Sequence, residues 1–150
     1  MVSYGVDEQT NPKFTANMSL SSIAVRDATK IRDVLVQTGI IPTSNAHLYT
    51  ASTDLESCKI GGIKTSFQEC ARKVGPNGLF VFHFSGHGVK HKIHMKKVWS
   101  LAPVDFNYKQ DTSLTADVFG KWFQEAECKA KHILFFLDCC HAGGIATKLS

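Results

Sequence analysis

The sequence has no apolar run long enough to cross a bilayer: its longest strongly apolar stretches, Leu79–Phe84 and Ile133–Leu137, are only of strand length. A membrane-spanning helix is therefore not expected. Met1–Gly5 shows neither a basic leader nor an apolar centre, so no export signal is read there. The five cysteines include no C-x-x-C pair, and without paired ligand knuckles a structural zinc site loses its usual signature, although Cys139, Cys140, His141 and His87 are all zinc-type ligands. The odd cysteine count also argues against a disulfide framework. Free thiols in a reducing, cytoplasmic setting are the expectation. Charge of one sign is scarce too: the net charge is +4 and the lysines are spread out, apart from a cluster at Lys90–Lys97. Nucleic acid needs a denser basic face or interleaved aromatics, so no nucleic-acid partner is expected. With no repeat, linker or low-complexity tract in 150 residues, one domain with one core is expected.

What is present is an alternation of helical and extended patterns. A leading strand falls near Val2–Val6. Ala24, Ala28, Ile31 and Leu35 recur at helical spacing, with Ser22 as N-cap and Gly39 as stop, which predicts a helix over about 23–38. His47–Thr50 reads as a short strand. Ile63, Phe67, Cys70 and Val74 give a second amphipathic helix, ended by Gly75-Pro76-Asn77-Gly78. Leu79–Phe84 is an apolar strand of the kind that parallel sheets bury on both faces. A polar, lysine-rich loop follows to about Lys97, then a short strand at Trp99–Pro103. Thr115 caps a helix to about Glu127, Ile133–Leu137 is a second buried strand, and Ala142–Leu149 opens another helix. This order predicts an α/β fold around a mostly parallel sheet.

The chemistry gathers just beyond two strand ends, where parallel sheets place functional groups. One strand finishes into Ser85-Gly86-His87-Gly88, the other into Asp138-Cys139-Cys140-His141. If the strands are neighbours, about 4.8 Å apart, His87 and Cys140 face each other across a cleft despite their distance in sequence. An ordinary thiol, with a pKa near 8.5, is only about 3% thiolate at pH 7. An imidazole can supply the missing activation as general base, then protonate a leaving amine. Gly88 has no side chain to block approach, so its N–H can serve an oxyanion beside backbone donors at the turn into the next helix. Acyl transfer is the chemistry this arrangement suits. Taken alone, Cys140 reads as a buried small apolar residue; the His87 motif reverses that reading. His83, set between Phe82 and Phe84, reads as a packed core histidine, and Cys58, Cys70 and Cys128 as thiols without a role.

Phe84-Ser85-Gly86-His87-Gly88 together with Asp138-Cys139-Cys140-His141-Ala142-Gly143 resembles the caspase-like peptidases, including metacaspases and paracaspases. Caspases place their histidine about 50 residues before the cysteine. The likeness also takes in Leu20 to Ala28, Trp99–Asp105 and Thr115–Phe123. It implies a three-layer caspase-like sandwich, His87 as base, and Cys140 rather than Cys139 as nucleophile. Caspases carry glutamine where this chain has Asp138, and an arginine ahead of the first helix at the place of Ser21, so the groups that hold an acidic substrate side chain are missing. Metacaspases are similar to this chain in having aspartate at the Asp138 position and at about Asp27, both lining the pocket for the residue before the cut. An arginine or lysine substrate is thereby implied. Ala142 departs from the serine of many metacaspases. Both carboxylates also have a plainer reading as groups serving a helix start.

The leading functional expectation is a cysteine endopeptidase cutting after a basic residue through a thioester. Its rival is a catalytically silent homologue acting as a binding module, and hydrolysis of a non-peptide acyl bond uses the same machinery. No metal or other cofactor is expected, calcium activation being compatible with the resemblance alone. The expected partners are a peptide or protein substrate, and a second copy or partner chain that completes the sheet. Because few residues follow Cys140, the chain is expected to be a domain truncated at its C-terminal end, with its last apolar strand left as an edge.

Overall fold

Strand β3, Leu79–Ser85, is the apolar run expected from the sequence, and six of its seven residues are buried. In the computed structural model, which describes residues 1–7, 9–11 and 22–149, it pairs in parallel with β1, Val2–Gly5, on one side and with β6, His132–Asp138, on the other. Strand β2, His47–Thr50, completes a four-stranded parallel sheet in the order β2-β1-β3-β6. Leu20 and Ser21, part of the likeness noted above, lie outside the described residues.

Side chains alternate across this sheet, and its two faces bury different material. Val2, Tyr4, Phe80, Phe82 and Phe84 meet helices α2, Ile60–Lys73, and α3, Ala116–Glu125. Phe67 of α2 lies at the centre of that layer, its ring 4.9 Å from Phe80, 4.7 Å from Phe123 and 5.5 Å from Trp122. Ring pairs at such separations add about 0.5–1.5 kcal/mol each beyond the area they bury. The opposite face holds Val81 and Phe136 against Leu35 and Ile31 of helix α1, Ile23–Gln37. Helix α4, Ala142–Leu149, follows β6 and buries Ile145 in the aromatic layer.

Several expectations are corrected. The lysine-rich segment is not a loop but a hairpin of β4, Gly88–Ile93, and β5, Lys96–Leu101, turning at His94 and Met95. Both tip residues have positive φ, 47° and 67°, the backbone a two-residue hairpin turn requires. Without the Asn-Gly or Asp-Gly that usually supplies it, the turn carries no sequence signal. Ser22 stands at the N-cap of α1 as expected, but with left-handed backbone and no capping bond from its side chain; the Ala24 N–H donates instead to Asp7 Oδ1 at 2.8 Å. The second helix starts at Ile60, whose N–H donates to Asp105 Oδ1 at 3.0 Å. Strand β6 is not buried like β3; Ile133 is 47% and Leu134 39% exposed, because among the described residues β6 pairs on one edge only. Among the described residues no helix is long and apolar enough to cross a membrane.

Candidate active site

The β3–β6 ladder sets the geometry. Its last Cα pair is Ser85 with Asp138, tied further by the Gly86 N–H to the Asp138 carbonyl at 3.2 Å and by Ser85 Oγ donating to Asp138 Oδ2 at 3.2 Å. His87 and Cys140 each lie two residues past that pair. The ladder therefore brings the backbones of the two motifs to the same end of the sheet.

They also touch. A Cβ built on Gly88 would fall 1.7 Å from the Cys140 carbonyl oxygen and 3.0 Å from Cys139 Sγ, so only glycine fits where the two segments meet. A similar close approach occurs at Gly144, where a Cβ would fall 2.5 Å from the indole ring of Trp99. Trp99 thereby seats hairpin strand β5 on the first turn of α4, and Lys90 Nζ lies 5.0 Å from the centre of its ring. Between β6 and α4 the chain turns through His141, at φ 61°, and the Gly144 N–H closes the turn on the His141 carbonyl at 3.0 Å. A non-glycine residue held there costs roughly 1 kcal/mol or more, and such strain collects at functional turns.

The adjacent thiols have different environments. Cys140 is exposed. Cys139 turns inward, and burial first, then the neighbouring Cys140 and Asp138 charges, push its thiol up to about 12. Its sulfur is therefore held as the thiol at neutral pH. Cys58, buried, is likewise pushed up to about 12.

On the α1 side of the sheet, next to this turn, lies a cavity of about 360 Å³. Its walls are Asp27, Lys30 and Ile31 from α1 and Leu137 and Asp138 from β6, over Phe136 and His83. Asp27 and Asp138, far apart in sequence, thus line one cavity. Asp27 also stands 3.5 Å from Arg26 Nε, a solvent-screened pair worth under about 1 kcal/mol. A ring and aliphatic wall below two carboxylates suits a long side chain with a cationic end, because its methylenes bury while its head stays paired. Another cavity, of about 310 Å³, opens at the amino ends of the strands around Met1, His47 and Cys70, far from the Cys140 turn.

Three features of the site escape a reading of the sequence. Ser85, buried, fixes one oxygen of Asp138; its place beside the histidine motif was the available signal. Lys30 lines the cavity, one helical turn from Asp27, a placement that the i, i+3 spacing allows. The Trp99–Gly144 contact joins segments with no common pattern. Among the described residues, no three His, Cys, Asp or Glu side chains are grouped to hold a metal ion.

No curated protein matches the chain. A sequence model of the caspase domain, a peptidase family, matches residues 11–149 and so takes in three of the four sheet strands, β2, β3 and β6, the hairpin and both strand-end motifs. Fold and match agree, and the chain belongs to the caspase domain family.

Proposed function

We propose that this chain is a cysteine endopeptidase that cuts after arginine or lysine, with Cys140 as nucleophile and His87 as general base and acid. The observation that carries this reading is the equal reach of His87 and Cys140 beyond the Ser85–Asp138 pair, with Gly88 packed against Cys140 between them. His87 takes the Cys140 proton, and the thiolate attacks the scissile carbonyl carbon. The Gly88 N–H donates to the oxyanion. Collapse of the tetrahedral adduct breaks the C–N bond, and the imidazolium gives its proton to the departing amine. Water, deprotonated by His87, then hydrolyses the thioester and returns Cys140 with its proton.

Asp27 and Asp138 hold the side chain before the cut. A planar guanidinium can make charge-assisted bonds to these carboxylates, roughly twice as strong as neutral ones. The test is hydrolysis of matched arginyl, lysyl and aspartyl peptide amides by wild type and Asp138→Asn. Wild type should prefer the two basic substrates, and the variant should lose about tenfold or more in kcat/KM on them alone. Cleavage after aspartate would refute the acidic pocket, and no cleavage of any peptide would leave the silent homologue as the better account.

A further inference from the structure

His83 lies in the middle of β3, only 1% exposed, yet its ring forms part of the floor of the cavity between Asp27 and Asp138. One of its nitrogens is committed. Ser3 Oγ lies 2.9 Å from His83 Nδ1 and 3.2 Å from the Ala28 carbonyl; with the hydroxyl donating to that carbonyl, its oxygen accepts from Nδ1–H. In that arrangement Nδ1 carries the proton and Nε2 carries a lone pair, and this is the tautomer the inference uses. Ser3 pairs with His83 from β1, on the side of β3 opposite β6, so the ring's second nitrogen points away from Ser3. Among the described residues no group hydrogen-bonds it.

We propose that His83 is a specificity-determining residue: Nε2 accepts a hydrogen bond from the guanidinium or ammonium group of the side chain that fills this cavity. The inference rests on the basic-residue preference proposed above and adds a requirement to it. Two carboxylates attract any cation, whereas a buried lone pair needs a donor. A side chain of similar length without an N–H would leave Nε2 buried and unpaired, the kind of penalty by which polar sites reject isosteres most strongly. The imidazole also has to stay neutral, because a proton on Nε2 would cancel one carboxylate and turn the acceptor into a donor. Burial pushes His83 down to about 4, against the pull of Asp138 and Asp27, so at neutral pH it is uncharged. The charged groups around it are Asp27 and Lys30 on α1 and Asp138 on β6.

The experiment uses the whole chain with Cys140→Ala, which removes turnover, and ¹⁵N-labelled histidine. It is titrated with an acetylated tripeptide amide ending in arginine and with its norleucine twin. The His83 Nε2 resonance should move from the unprotonated range towards the protonated one with the arginine peptide only. In the active chain, His83→Asn keeps a donor for Ser3 but lacks the second nitrogen. It should raise KM for the arginyl amide about tenfold while leaving kcat within about twofold. Should the arginine peptide bind, weakened by Asp138→Asn, with no movement of Nε2, this proposal fails and the acidic pocket stands. If the arginine peptide binds no better than the norleucine one, the basic preference fails and the role of His83 with it. The resonance in the otherwise unaltered sheet keeps the test decisive even if His83→Asn does not fold.

Discussion

Strands β3 and β6 are alike in their apolar character, Leu-Phe-Val-Phe-His-Phe-Ser against His-Ile-Leu-Phe-Phe-Leu-Asp, and both end in a loop that carries chemistry. Their surroundings are opposite. β3 lies between two strands and under helices on both faces, whereas β6 is paired on one edge and leaves Ile133 and Leu134 to solvent. An apolar run specifies that a strand forms, since β-branched and aromatic side chains suit a pleated surface; its depth depends on what pairs with it. The site uses both conditions. The imidazole motif hangs from the fixed strand and the thiol from the open one, beside the cavity that faces solvent.

The largest effect should come from the groups that the two strand ends carry. Cys140→Ala removes the attacking sulfur and His87→Ala removes its base, so each should lower kcat/KM on an arginyl amide by about 10³-fold or more, and the double variant scarcely further. Cys139→Ala, one residue away on a buried thiol, should stay within a few fold. Equal losses at both cysteines would erase the distinction between the inward and outward positions.

Stability should separate the strands next. Phe82 in β3 is fully buried, with Phe119 at 5.0 Å and Phe135 at 5.3 Å, so Phe82→Ala should cost about 3–5 kcal/mol in denaturant unfolding. Leu134→Ala, on the half-open strand, should cost under about 1.5 kcal/mol. Comparable losses would mean that β6 is as enclosed as β3.

A somewhat smaller effect is expected from pH, because burial holds His83 of β3 neutral. In the unfolded chain it takes a proton near its ordinary value of 6.5; in the folded chain it does so only near about 4. Between those values the unfolded state binds the additional proton, so stability should fall as pH drops from about 6.5 and level off below about 4. The loss assigned to this residue is on the order of 3 kcal/mol. Urea unfolding at several pH values should show that slope, and His83→Asn should flatten it. His47 and His91, also pushed down by burial, account for what slope survives.

Much of this architecture is legible in the sequence. Helical spacing located α1 and α2, the Thr115 cap is present with its side chain accepting from the Val118 N–H at 3.4 Å, and the parallel sheet followed from the order of elements. The motifs at the two strand ends were likewise visible, because each occupies a few consecutive residues. What stayed hidden depends on partners remote in sequence. Asp7 caps α1 from seventeen residues away, a His-Met tip turns the hairpin where glycine would have announced it, and Trp99 meets Gly144 across the site. His83 illustrates the limit best. Its burial was readable from flanking phenylalanines, but its second surface, towards Asp27 and Asp138, exists only once α1 and β6 are in place.

The central claim is that Cys140, paired with His87 and served by an acidic pocket, is the nucleophile of a basic-specific peptidase. An arginyl chloromethylketone tests it in one step, because covalent capture needs both recognition of the side chain and an activated thiol. After incubation, digestion and mass spectrometry, the adduct should sit on Cys140, be absent from Cys139, and disappear in His87→Ala, while an aspartyl chloromethylketone reacts far more slowly. An adduct on Cys139, or equal labelling of Cys140 with and without His87, would contradict the account.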